Sequence, residues 1–223
     1  TEEEIGIKLS EEQYKAIIKA LNTKLFVLTG GPGTGKTTII KFITNVFLRN
    51  RLTVSLCCPT GRAAKRLSEA TGLPATTIHR LLEYSIQNGF QRNEAKPLDC
   101  DILIIDEMTM VDLKIFFHLL KAINKYTRII MVGDVNQLPS VGAGNLLKDI
   151  INSNISEVYR LTKIFRQAEN SLIILNSHKI NNGEQIIIKN QDKNSNFFFI
   201  EKETPEEIQN EILSLFFQRI PEN

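Results

Sequence analysis

The 223-residue sequence predicts an α/β fold, a mostly parallel central sheet flanked by helices. Three observations carry that expectation. Apolar runs short enough to be buried strands recur at Leu25–Leu28, Thr53–Cys58, Ile102–Ile105 and Arg128–Val132, and segments of helical periodicity separate them. The first run breaks directly into a glycine-rich loop that opens a helix. Acidic and amide side chains follow the ends of later runs, and ligands gather outside the carboxyl ends of parallel strands.

The chain opens with an amphipathic helix. Ser10 and Gln13 have capping-box spacing, and Tyr14, Ile17, Ile18 and Leu21 recur at helical intervals. Gln13 therefore has a structural reading, as the cap of its own helix. It also has a functional one: a side-chain amide donates and accepts at once, as the edge of an adenine requires. Its place just ahead of the glycine-rich loop favours the second reading.

The loop runs Gly30-Gly31-Pro32-Gly33-Thr34-Gly35-Lys36-Thr37-Thr38. Gly30, Gly35, Lys36 and Thr37 fit the phosphate-binding pattern G-x-x-x-x-G-K-S/T. Glycines let consecutive backbone N–H groups point at an anion that side chains would block. Lys36 adds a point charge, the Thr37 hydroxyl suits Mg²⁺, and a helix N-terminus follows. Gly31, Gly33, Thr34, Gly35, Lys36, Thr37 and Thr38 are thus candidate binding residues for a nucleotide such as ATP.

The second strand ends in Pro59-Thr60-Gly61-Arg62, with Thr60 a reasonable N-cap of a basic helix. Such a start can hold a sugar-phosphate backbone, although local composition alone favours a solvated basic face. Thr76-Thr77-Ile78-His79-Arg80 reads as another short helix start, and a lone histidine is usually structural. Residues 84–100 read as a polar surface excursion. The strand at Ile102–Ile105 then delivers Asp106 and Glu107. Asp106 is a candidate Mg²⁺ ligand through water, and Glu107 a candidate proton acceptor for an attacking water.

Asp112 reads as an N-cap, with Leu113, Phe116, Phe117 and Leu120 as the buried stripe and His118 at the surface. The next strand ends in Gly133-Asp134-Val135-Asn136-Gln137, where Gln137 is placed to reach a γ-phosphate or the water attacking it. A helix from Asn145 to Ile151 follows, then a short strand at Val158–Leu161 and a helix that stops at Asn182-Gly183. Residues 196–200 read as a strand. Thr204, Pro205 and Glu207 read as a helix start, with Ile208, Ile212, Leu215 and Phe216 on its buried face.

Composition removes several classes. No run is long and apolar enough to span a bilayer, and the N-terminal residues do not resemble a signal peptide. Three cysteines have neither the number nor the spacing of a disulfide framework or zinc site, which fits a reducing, cytoplasmic setting. The net charge of +2 is too small to argue for or against nucleic acid, so a local basic patch has to decide.

Taken together, the motifs resemble the superfamily 1 helicases, and within them the RecD/TraA-like DNA helicases that include the exodeoxyribonuclease V α subunit. The Leu9–Gln13 segment looks like the adenine-reading Q motif, and Gly30–Thr37 like motif I. Pro59–Ala64 is similar to motif Ia, Thr77–His79 to the DNA-contacting motif after it, and Ile104–Met108 to motif II. Gly133–Ser140 looks like motif III, and Thr162–Gln167 like motif IV. The resemblance implies ATP and Mg²⁺ as cofactors, 5′→3′ movement on single-stranded DNA, and Lys36, Glu107, Gln137 and Arg166 as the catalytic set. It raises Thr60, Arg62, Thr77 and His79 to candidate DNA contacts, and it brings in subunits of a nuclease–helicase complex as candidate partners. It also implies a RecA-like motor domain over residues 1–155 and the start of a second, truncated one over 156–223. The family's motifs V and VI have no counterpart here, so the chain looks like a fragment. A nucleotide-driven switch or loader acting on protein is the alternative.

Overall fold

The computed structural model describes residues 6–163, 171–189 and 195–219, in two compact units, Thr1–Glu169 and Asn170–Asn223. The first unit is built on a six-stranded parallel sheet. In chain order its strands are β1 (Leu25–Gly30), β2 (Val54–Cys58), β3 (Ala75–Thr77), β6 (Ile102–Ile105), β7 (Arg128–Gly133) and β8 (Glu157–Leu161). Their order across the sheet is β3-β2-β6-β7-β1-β8, and every pairing is parallel. A small antiparallel hairpin, β4 (Tyr84–Ser85) with β5 (Gly89–Phe90), stands apart.

Helices cover both faces, which is why the strands read as nearly continuous apolar runs. Phe26, Leu28, Ile104, Ile130 and Val132 pack against α1 (Glu11–Asn22), α2 (Lys36–Arg49) and α3 (Gly61–Thr71). Their neighbours Val27, Leu103, Ile105, Ile129 and Met131 point the other way. They pack against α4 (Ile78–Leu81), α5 (Leu113–Lys121) and α6 (Leu146–Asn152). Strand alternation thus divides one sheet between two cores.

The predicted caps are present. Ser10 and Gln13 close a full capping box on α1, and Thr60, Thr77 and Asp112 cap α3, α4 and α5 through their side chains. The three cysteines are buried and free, with burial pushing the Cys58 thiol up to about 12.

Several expectations change. On α1, Gln13, Ala16, Ile17 and Ala20 face inward, while Tyr14 and Ile18 are exposed. On α5 the inward residues are Phe116 and Leu119, and Leu113, Phe117 and Leu120 are exposed. On α5 only Lys114, His118 and Lys121 are polar and they share one face, so six apolar residues spread over the remainder and packing decides which of them are covered. His118 is half-buried, its ring 4.4 Å from that of Phe90. Three-residue β3 was not expected, and the excursion at 84–100 both forms the hairpin and returns Leu98 and Cys100 to the core.

The expected boundary after residue 155 also moves. β8 pairs with β1 along Phe26–Gly30 and is the sixth strand of the first sheet, and the first unit extends to Glu169.

In the second unit, α7 spans Leu172–Asn181 and α8 spans Pro205–Ser214, with the predicted capping box at Thr204 and Glu207. Residues 196–200 form no strand, and no strand is present among the described residues of that unit. The predicted buried face of α8 is exposed at Ile208, Ile212 and Phe216, with Leu215 half-buried.

Candidate functional site

The strand tips converge because the parallel register brings them level. Thr29 pairs with Gly133, Cys57 with Ile105, and Cys58 with Thr77. The residues just beyond each tip therefore share one edge of the sheet. A cleft of about 930 Å³ opens there, lined by Gln13, Gly33, Thr34, Gly35, Lys36, Thr37, Thr38, Asp106, Glu107 and Gln137, among others. Gly31 supports it from below, its carbonyl accepting from the Thr34 hydroxyl at 2.8 Å.

The loop's conformation explains its glycines. Gly33 and Gly35 have φ of 75° and 81°, in the left-handed region that side chains disfavour. A Cβ on Gly30 would lie 2.8 Å from the Thr34 hydroxyl and 2.9 Å from the Leu161 Cβ, so the loop fits tightly between its own threonine and β8. Gly35 opens α2 without a side-chain cap, so the first N–H groups of a 14-residue helix have no intrahelical partner. Lys36 Nζ donates to the carbonyls of Gly30 at 2.6 Å and Gly31 at 3.0 Å. Burial lowers the lysine's pKa, while the charges of Asp134, Asp106 and Glu107 oppose that shift.

The acids stand across the cleft. Asp106 accepts from the Glu107 N–H at 2.9 Å, and Glu107 holds φ 54° and ψ 42°, a left-handed conformation uncommon outside glycine. That turn redirects the chain into a short 3-10 helix at Met108–Met110 and presents the Glu107 side chain to the cleft. Burial pushes the Asp106 carboxyl up to about 6 from 3.8. The hydrogen bond from Glu107 opposes this, the Glu107 charge adds to it, and Lys36 opposes it.

A stability prediction follows for the protein without nucleotide or Mg²⁺. Between about pH 4 and pH 6 the folded Asp106 binds a proton that the unfolded chain does not. Its contribution therefore becomes more favourable as pH falls through 6 and levels off near 4. Asp106→Asn removes the cost of the buried charge. The variant should be more stable at pH 7 by on the order of 3 kcal/mol, a gain that fades by pH 4. Denaturant titrations of both proteins at the two pH values check this. A difference that does not change with pH would mean that burial of the charge is not its source.

Gln13 caps its own helix and also lines the cleft. It is 3% exposed, and its Oε1 accepts from the Ser10 N–H at 3.1 Å. Thr60 and Thr77 follow neighbouring strand tips, and each accepts a helix-capping N–H, from Ala63 and Arg80. Arg62 is exposed beside them. The His79 ring is half-buried and packs against Tyr84 at 5.5 Å and Phe90 at 5.8 Å. Arg166 lies outside the described residues.

Sequence reasoning passed over Asp134. It is 3% exposed and the first of the acids supporting the Lys36 charge. It also shapes the Gln137 turn, accepting from the Asn136 N–H through Oδ1 and from the Gln137 N–H through its carbonyl, both at 3.0 Å. The cue was available, since Asp134 follows a strand tip just as Asp106 does. Arg66 and Met110 were also missed. With Arg62, they line a second chamber that shares Thr37, Asp106, Glu107 and Gln137 with the cleft.

The donor set fits a nucleoside triphosphate with Mg²⁺. Free helix N–H groups and a lysine face the cleft together with an exposed threonine hydroxyl and a half-buried carboxylate. Among the described residues, no group of three or more His, Cys, Asp or Glu could hold a metal ion.

The parallel sheet and the glycine loop leading into α2 define a RecA-like P-loop fold. The chain belongs to the family described as the AAA domain, which matches residues 13–143. It is 42% identical over 176 residues to the ATP-dependent RecD2 DNA helicase of Deinococcus radiodurans, covering 79% of this chain and 24% of that protein. It is 39% identical over 166 residues to the RecBCD enzyme subunit RecD of Mycolicibacterium smegmatis, covering 63% of this chain and 30% of that one. The chain thus spans about a quarter to a third of these relatives.

Solved structures agree on the fold. The Pif1 helicase from Candida albicans superposes with a TM-score of 0.58 at 24% identity, over 78% of this chain and 44% of that one. The Bacteroides Pif1 bound to single-stranded DNA gives 0.55 at 22% identity, over 93% and 56%.

Proposed function

We propose that this chain is the nucleotide-binding part of an ATP-dependent DNA helicase of the RecD type, moving 5′→3′ on single-stranded DNA. The observation that carries the reading is the convergence of the phosphate loop, Asp106, Glu107 and Gln137 on one cleft, with Thr60 and Thr77 at the adjoining strand tips.

In this reading Gln13 recognises adenine. Gly31, Gly33, Thr34, Gly35, Thr37 and Thr38 form the phosphate cradle, and Lys36 offsets phosphate charge. Thr37 and Asp106 would hold Mg²⁺, which would supply further charge neutralisation when bound. Glu107 takes a proton from the attacking water while Gln137 orients it. Asp134 positions both Lys36 and the Gln137 turn. Arg166 acts on the γ-phosphate, and the second unit is the beginning of a second motor domain. Thr60, Arg62 and Thr77 meet the DNA backbone, with His79 supporting the last of these from its ring cluster. Subunits of a RecBCD-like complex are candidate partners.

Single-stranded DNA binding tests the reading. Affinity should fall steeply with salt, and Arg62→Ala should reduce the log–log slope by about 0.7, the value for one lost backbone phosphate contact. Protection footprinting should map to residues 60–62 and 77–79. Salt-independent binding, or protection confined to other surfaces, would favour a nucleotide switch acting on protein.

A further inference from the structure

The second chamber, about 320 Å³, opens from the acidic end of the cleft toward α3. Its walls include Thr60, Arg62, Arg66, Glu107, Met110 and Gln137. Gln13 and the glycines of the loop line only the larger cleft. The chamber therefore adjoins the end where a terminal phosphate would be cleaved, away from the base.

Its charge is arranged for an anion. Arg62 and Arg66 are four residues apart on α3, so they share one face of the helix. Neither forms an ion pair among the described residues, although Asp106 and Glu107 line the same space. A guanidinium presents a planar fork of donors matched to phosphate oxygens. The volume suits a tetrahedral oxyanion and its waters, and is about a third of the cleft's.

We propose that this chamber is a site for orthophosphate, the exit through which the cleaved phosphate leaves, held by Arg62 and Arg66. The inference rests on the nucleotide reading of the cleft. Its position favours it, because the chamber opens beside Glu107 and Gln137, at the end of the cleft away from Gln13. The attacking water supplies the oxygen, ADP keeps the bridging oxygen, and the proton ends on Glu107. A backbone phosphodiester of DNA offers the same oxygen chemistry to Arg62, so the test must separate the two sources.

The experiment titrates inorganic phosphate into the full chain saturated with ADP and Mg²⁺, followed by ³¹P NMR line broadening. Arg66→Ala should weaken phosphate binding about tenfold, the worth of one charged hydrogen-bonding group. ADP affinity should stay unchanged, and Arg66→Lys should recover part of the loss. Arg66→Gln gives the same comparison should the alanine variant fold poorly. Equal phosphate affinity in the unaltered chain and both variants, with ADP bound normally, overturns this inference alone. So does a variant that loses affinity for a single-stranded oligonucleotide and none for phosphate, because the chamber then holds DNA. Failure of the unaltered chain to bind ADP overturns the nucleotide reading and this inference together.

Discussion

Glu107→Gln should bind ATP with the affinity of the unaltered chain and lose hydrolysis by about 10²–10⁴-fold, the usual contribution of a positioned general base. The amide has the size of the carboxylate, and the turn at this residue depends on its backbone. The Glu107 N–H donates to Asp106, and the left-handed φ of 54° belongs to the main chain. Only the ability to accept a proton is removed. Single-turnover hydrolysis with enzyme in excess, alongside nucleotide binding, separates the two effects. If binding and turnover fall together, Glu107 shapes the cleft and is not the base.

Lys36→Ala should have the opposite signature, with nucleotide affinity itself collapsing. Lys36 is a half-buried cation among three acids, and among the described residues its Nζ bonds only the carbonyls of Gly30 and Gly31. A phosphate entering the cleft would meet those acids with no compensating charge. Truncating one side of a buried charge pair typically costs about 2–5 kcal/mol, equivalent to roughly 30-fold or more in affinity. The fold should survive, because Lys36 is only half-buried and water can replace its amine at the carbonyls of Gly30 and Gly31. Calorimetry with ADP and Mg²⁺, together with a thermal melt of the apo protein, tests both halves. Undiminished nucleotide binding by the variant would remove the phosphate-loop assignment.

The two variants probe different kinds of sequence information. The loop around Lys36 is specified by local backbone chemistry, with glycines at the left-handed positions and a helix beginning where the N–H groups are needed. The caps at Ser10, Thr60, Asp112 and Thr204 are equally local, each closing on an N–H three residues later. Such features were legible because the atoms that satisfy one another sit within a single turn of chain. Asp106 and Glu107 were legible because four apolar residues run straight into them.

Helix faces were less so. On α1 the small residues Ala16 and Ala20 turn inward and leave Tyr14 and Ile18 outside, and on α5 Phe116 and Leu119 turn inward and leave Leu113, Phe117 and Leu120 outside. Asp134 shows the same limit at the site. Its strand-tip position is visible in sequence, but its closeness to Lys36 follows from β7 lying beside β1, a pairing between segments about a hundred residues apart.

By itself, then, the sequence determined the phosphate loop, the paired acids, the helix caps and the alternation of strands and helices, all of them short-range consequences of backbone geometry and period. Only the tertiary structure decided that β8 completes the first sheet, which side of α1 and α5 is buried, and that Arg62 and Arg66 share a chamber with Glu107. Those outcomes depend on which distant surfaces meet. Burial free energy is nondirectional, so an apolar residue records that it must be covered and leaves unspecified what covers it.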